Sequence, residues 1–219
     1  MSVSEEIKKN VFDALYWDDT VDASKVQVEA SDGKVKLTGS VPTYQARKAA
    51  YADAFSVAGV HVVDNNIDVK PLSPPEVPSD EEIKSRIKDF LQWNGTVDPA
   101  EIEITVDNGW VTLRGSVTAY WKKMQAEDLA ADVRGVIGIT NELAVVPTGN
   151  HLDKAISDNI VSALERNPSL DAEFIDVRVE NGVVILSGTV PIWADKIAAQ
   201  QIANHTAGVR DVVNHIAVK

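Results

Sequence analysis

Apolar residues recur along this chain in two alternating rhythms. Ile7, Val11, Ala14 and Leu15 fall at i, i+4, i+7 and i+8, the stripe of a helix with one buried face. Val26, Val28 and Ala30 then alternate with polar residues up to Asp32-Gly33, and Val35 and Leu37 resume the alternation beyond it. An Asp-Gly or Asn-Gly pair between alternating apolar residues predicts a β-hairpin, because its type I′ turn needs positive φ at both central positions. The helical stripe returns as Ile83, Ile87, Phe90, Leu91 and again as Ile156, Ile160, Ala163, Leu164. The hairpin pattern returns too, as Ile102, Ile104, Val106 before Asn108-Gly109 with Val111 and Leu113 after it. In the third instance Ile175, Val177 and Val179 precede Asn181-Gly182, followed by Val184 and Leu186.

These are copies of one unit. Offsets of 76 and 73 residues superpose Gly39-Ser40-Val41, Gly115-Ser116-Val117 and Gly188-Thr189-Val190. The same offsets align Gly59-Val60 with Gly135-Val136 and Gly208-Val209, Asn65 with Asn141 and Asn214, and Asp22 with Asp98 and Asp171. After the hairpin each copy predicts a second helix. Pro42 and Pro191 open it in copies one and three, where a missing N–H costs nothing. Its inner face is alanine-rich, with Ala50 and Ala54, Ala126 and Ala130, and Ala199 and Ala203, and Gly59, Gly135 and Gly208 close it as C′ residues. A last strand, such as Val136 to Val145, completes the unit. Ser79 with Glu82 forms a capping box that starts the second copy. The predicted class is α+β: three tandem α-β-β-α-β units, each a three-stranded mixed sheet with two helices on one face.

The boundaries follow as repeat 1 over 1–69, a Pro-rich linker over 70–78, repeat 2 over 79–146, a short linker over 147–150 and repeat 3 over 151–219. The stretch KPLSPPEVPS is expected to be an extended spacer reaching about 31 Å at the polyproline rise. Repeat 1 is therefore expected to be the more independent unit, with repeats 2 and 3 packed as a pair.

Charge changes the functional picture. With 21 Lys+Arg against 33 Asp+Glu the net charge is -12, which argues against nucleic acid as a partner. There are no cysteines, so disulfides, thiol nucleophiles and zinc–thiolate sites are excluded. The four histidines, His61, His151, His205 and His215, do not recur between copies and lack metal-binding spacing. No nucleophile elbow or phosphate loop occurs, so neither an enzyme nor a cofactor is expected. The opening MSVSEEIKKN has no apolar core behind a basic start. A cytoplasmic location is expected, or a periplasmic one if a leader has been removed.

Three recurring features are candidates for binding. Asp22, Asp98 and Asp171 are read as turn-formers before the first strand, and secondarily as weak cation ligands. Tyr44, Tyr120 and Trp193 recur where the hairpin passes into the second helix, with Trp121 beside Tyr120. Basic residues follow: Arg47, Lys48, Lys122, Lys123 and Lys196. Such a rim suits a lipid headgroup or a protein partner; rings packed at a sheet edge with solvated cations are the structural alternative. Trp17 and Trp93, at the ends of the first helices, are expected to cap the small cores; Arg166 replaces them in copy three. Asp53 stands where the other copies carry Leu129 and Ile202, so looser packing is expected there.

The repeated order of elements, the glycines at 39, 115 and 188, the Gly-Val pairs and the late asparagines resemble the BON domain, named for bacterial osmotically inducible and nodulation-associated proteins. Nearly the whole chain is covered by three such copies. The resemblance implies a non-catalytic stress- or envelope-associated binding and scaffolding module, whose partners are a phospholipid membrane surface or an envelope protein. A branch of the family similar to a cytoplasmic potassium-binding protein supplies the alternative of a monovalent-cation sensor. A protein–protein adaptor using exposed strand edges is the third option.

Overall fold

The computed structural model describes residues 2–70, 77–149 and 151–218; most of the Pro-rich spacer, and with it the expected extended conformation, lies outside them. Repeat 1 runs α1 (Val3–Trp17), β1 (Val26–Ser31), β2 (Lys34–Val41), α2 (Tyr44–Ser56), β3 (Val62–Val69). Repeat 2 runs α3 (Asp80–Asn94), β4 (Ile102–Asp107), β5 (Trp110–Val117), α4 (Tyr120–Ala131), β6 (Gly138–Val145). Repeat 3 runs α5 (Asp153–Glu165), β7 (Ile175–Glu180), β8 (Val183–Val190), α6 (Trp193–Asn204), and ends in two short strands, β9 (Asp211–Asn214) and β10 (Ala217–Val218).

In every repeat the second strand is central. It pairs antiparallel with the first strand and parallel with the last. The mixed sheet follows from connectivity: a two-residue turn forces antiparallel pairing, and a helical crossover permits parallel pairing. Asp32, Asn108 and Asn181 adopt φ of 48°, 49° and 53°, as the type I′ turn demands. The first helix of repeats 2 and 3 secures that turn from outside. Asp80 accepts from the Asn108 and Gly109 amides, each at 2.8 Å, and Asp153 accepts from those of Asn181 and Gly182 at 2.7 and 2.9 Å. Repeat 1 has Ser4 there, with one 3.4 Å bond from the Asp32 amide.

Three separate cores form, one per repeat, each sealed between the two helices and one face of the sheet. The inner-face alanines of the second helices, Ala50, Ala54, Ala126, Ala130, Ala199 and Ala203, are fully buried, so helix and sheet approach closely. Gly39 shows why its position repeats: a Cβ there would lie 2.0 Å from the Lys25 carbonyl oxygen, and the same clash recurs at Gly115 and Gly188. Helix α3 begins with the expected capping box, Ser79 amide to Glu82 carboxylate at 2.8 Å and Glu82 amide to Ser79 hydroxyl at 3.3 Å. Helix α1 carries another, Ser2 with Glu5.

Two local expectations are corrected. Pro42 and Pro191 precede the cap residues Thr43 and Ile192 instead of occupying the first helical position. The glycines at 59, 135 and 208 lie in the turns beyond the helix ends, not at C′.

Candidate functional site

The recurring aromatics at the start of the second helices pack across the boundaries between repeats. Tyr44 of repeat 1 packs on the core of repeat 2 beside Ile139. Tyr120 of repeat 2 is buried in the core of repeat 3 with Val212, at 8% exposure. Trp193 of repeat 3 packs on the core of repeat 1 with Val63, stacked on Phe55 at 4.2 Å between ring centroids and 15° between planes. Val63, Ile139 and Val212 are equivalent positions in the last strand. Each repeat thus offers one ring and one socket, and three such head-to-tail joints close into a ring. A fully seated side chain of this kind contributes about 2–3 kcal/mol of apolar burial. The expected independence of repeat 1 does not hold, because it contacts both neighbours through these joints.

An asparagine network places each ring. The Asn65 side-chain amide donates to the Arg47 carbonyl at 2.9 Å, and its oxygen accepts from the Ile67 amide at 3.2 Å. Asn141 makes the same bridge from the Lys123 carbonyl to the Leu143 amide, at 2.9 and 3.3 Å. Asn214 repeats it with Lys196 and Ile216, at 3.3 and 3.0 Å. The last strand therefore holds the first turn of the second helix, one turn from the aromatic. These asparagines were visible as repeated landmarks, but their role is written in no local pattern.

The joints differ in chemistry. At the joint between repeats 2 and 3, Met124 joins Tyr120 against the apolar core, and the phenol lies beside Asp211 and the Val212 amide. Burial, with the Asp211 charge second, pushes the Tyr120 hydroxyl up to about 12. Trp121 stacks on His205 across the same joint. At the joint between repeats 1 and 2, Lys48 stands in the place of Met124 and forms an ion pair with Asp128. Burial raises the Tyr44 hydroxyl, and the Glu127 charge adds to the effect.

Where the three repeats meet, a cleft of about 1070 Å³ opens. Its walls carry Tyr44, Tyr51, Trp110, Ile139, Trp193 and Ile197, with Arg47, Lys48 and Asp53 among the polar groups. Of the rim residues marked in the sequence, Tyr44, Arg47, Lys48 and Trp193 are brought together here. Tyr120, Trp121, Lys122, Lys123 and Lys196 are not. Lys122 lies over the Trp121 ring and Lys196 over the Trp193 ring, at 5.7 and 5.3 Å from the centroids, and burial lowers the Lys196 ammonium. Asp53 is pushed up to about 6, first by burial and then by the charge of Asp18. Hydrogen bonding from Thr20 holds Asp18 below the ordinary value.

Asp22, Asp98 and Asp171 serve as turn-formers, accepting from the amides of Ser24, Ala100 and Glu173 at 3.3, 2.9 and 3.4 Å. Among the described residues no group of three or more His, Asp or Glu gathers as metal ligands. Trp17 and Trp93 do not cap the cores: they are 80% and 88% exposed. Phe12, Tyr16 and Phe90 are exposed on the same helices. No helix among the described residues is long and apolar enough to cross a membrane.

Three α+β units joined head to tail by exchanged aromatic rings, with an apolar cleft at their junction, define a tandem-repeat scaffold. The chain belongs to the BON domain family, whose profile matches residues 4–71, 79–147 and 152–219. It is 26% identical to the osmotically-inducible protein Y of Escherichia coli, over 84% of this chain and 93% of that one. It is 31% identical to a 21 kDa hemolysin of Actinobacillus pleuropneumoniae, over 70% of this chain and 81% of that one. Identity to the outer membrane lipoprotein DolP of Haemophilus influenzae is 30%, over 51% of this chain and 58% of that one. None of the three carries an enzyme's name, and none supports the expected cytoplasmic location.

Proposed function

We propose that this protein is a non-enzymatic, stress- and envelope-associated scaffold that docks on a phospholipid membrane surface. The observation that carries this reading is the pair of exposed tryptophans, Trp17 and Trp93, at equivalent helix ends. Arg166 is the third-repeat counterpart of the two rings, and a cyclic arrangement, which sets equivalent residues at one level around its axis, would present all three on one face. Two indoles and a guanidinium on one face suit the headgroup layer, where amphipathic rings settle and a cation meets phosphate. Tyr16, edge-on to Trp17 at 5.5 Å between centroids, and Phe12 on the same helix are exposed with it, so the apolar surface there is a patch and not a lone ring.

The rim residues of the second helices have another role here. Their rings are taken up between repeats, and Lys122 and Lys123 remain half-exposed, free to add a secondary attraction. The net charge of -12 opposes anionic lipid over most of the surface. Docking is therefore led by ring insertion and is weakly dependent on salt. Membrane placement also accords with the name of one relative, an outer membrane lipoprotein, and a stress role with that of another, an osmotically inducible protein.

Flotation with phosphatidylcholine vesicles tests the proposal. The wild-type chain is expected in the floating fraction, with a blue shift of tryptophan emission. The double variant Trp17→Ala, Trp93→Ala is expected to stay in the soluble fraction while keeping its circular dichroism. Equal flotation of the variant, or no flotation of the wild type, rejects this reading.

A further inference from the structure

We propose that the cleft at the junction of the three repeats binds a long-chain fatty acid, its carboxylate on Arg47 and its acyl chain along Tyr51, Trp110, Ile139, Trp193 and Ile197. The site is independent of the membrane-docking face and exists only because the ring closes. Repeat 1 supplies Arg47 and Tyr51, repeat 2 Trp110 and Ile139, and repeat 3 Trp193 and Ile197.

Size and lining come first. Small-molecule sites usually enclose roughly 300–1,000 Å³ behind apolar and aromatic walls with a few placed polar groups. This cleft, at about 1070 Å³, lies just above that range. Tyr51 and Trp110 remain exposed where they line it. Two of the wall rings are held in place: Trp193 by stacking on Phe55, and Trp110 by donating its indole N–H to the Thr140 hydroxyl at 2.9 Å. The walls are thus pre-organised, which lowers the ordering cost of binding.

Charge selects the head. Two cations face the cleft. Lys48 is neutralised by Asp128, whereas Arg47 has no ion-pair partner among the described residues and has its backbone pinned by Asn65. One uncompensated guanidinium matches one carboxylate, which it grips through two parallel N–H···O bonds. A headgroup with a second negative charge would find no second free cation there. The neighbouring carboxyl of Asp53, pushed up to about 6 by burial and the Asp18 charge, repels an anion less as pH falls toward that value.

The test uses the full-length chain and palmitate below its aggregation concentration, read by isothermal titration calorimetry, with bromostearate quenching of tryptophan emission as a second readout. Saturable binding of about one palmitate per chain is expected. Arg47→Gln is expected to weaken it about tenfold, the loss of a charge-assisted bidentate contact. Ala52→Trp, which fills the cleft from a solvent-facing position of α2, is expected to abolish it while leaving the melting temperature within a few degrees. Both variants should still float with vesicles, and the Trp17→Ala, Trp93→Ala chain should still bind palmitate, so the two proposals fail separately. No saturable palmitate binding, or binding unchanged in both cleft variants, overturns the site. Lysophosphatidylcholine bound as tightly as palmitate overturns the assignment of a carboxylate head to Arg47.

Discussion

The joint that seats Tyr120 and the joint that seats Tyr44 are built from the same positions and end differently. Tyr120 is buried, backed by Met124, and closes its boundary completely. Tyr44 is half-buried, the Met124 position is Lys48, and the ion pair to Asp128 bridges a boundary that stays open to the cleft. One joint is core and the other is surface, though both derive from one repeated element. The difference shows how a repeat protein acquires a site without new architecture. Replacing an apolar contact with a charged pair leaves room between units that an all-apolar boundary would fill.

The contrast can be broken most directly at the rings. Tyr120→Ala should cost about 3 kcal/mol, in the range for truncating a buried aromatic, whereas Tyr44→Ala should cost only about 1 kcal/mol. Urea unfolding followed by circular dichroism measures both. Equal losses would mean that the two joints are energetically alike.

A second test concerns repeat 1, where Asp53 occupies the position that Leu129 and Ile202 hold elsewhere. Its folded carboxyl titrates at about 6 against an ordinary 3.8, so the protonated form favours the fold. That stabilisation is complete below 3.8 and is lost as pH rises through about 6. Asp18 shifts the opposite way, and its contribution is lost only below 3.8. Because Asp53 is partly solvated, screening reduces the effect to about 1 kcal/mol. Melting temperature should fall between about pH 4 and pH 7 in the wild type, from the ordinary value to about one unit beyond the folded one. In Asp53→Leu that slope should flatten; an unchanged slope would place the titrating group elsewhere.

The smallest effect is expected from Lys48→Met, which gives the first joint the residue of the second. Half-exposed ion pairs contribute little, so stability should change by less than about 0.5 kcal/mol. The informative readout is emission from Trp110 and Trp193, which should become less accessible to acrylamide if the joint tightens over the cleft.

Much of the fold was legible along the chain. The stripe of Ile7, Val11 and Leu15 defines a buried helix face, and Asp32-Gly33 defines a turn, because these are local rules of periodicity and backbone conformation. The exposure of Trp17 was also within reach: it lies two residues beyond Leu15, off the stripe. The joints were not legible. An aromatic followed by basic residues at a helix start reads equally well as a lipid rim or as a packed ring. The partner that decides, Ile139 for Tyr44 or Phe55 for Trp193, is nearly a hundred residues away or more. Arg47 and Lys48 look interchangeable in sequence, and only the position of Asp128 makes Lys48, and not Arg47, an ion-pair partner among the described residues.

By itself, then, the amino-acid order determined the repeated unit and its helices and hairpins, since each depends on neighbours within a few residues, and the lack of any thiol. Ring closure, the burial of Tyr120, and the cleft belong to the tertiary structure alone. They arise from contacts between units whose sequences carry no record of which surfaces will meet.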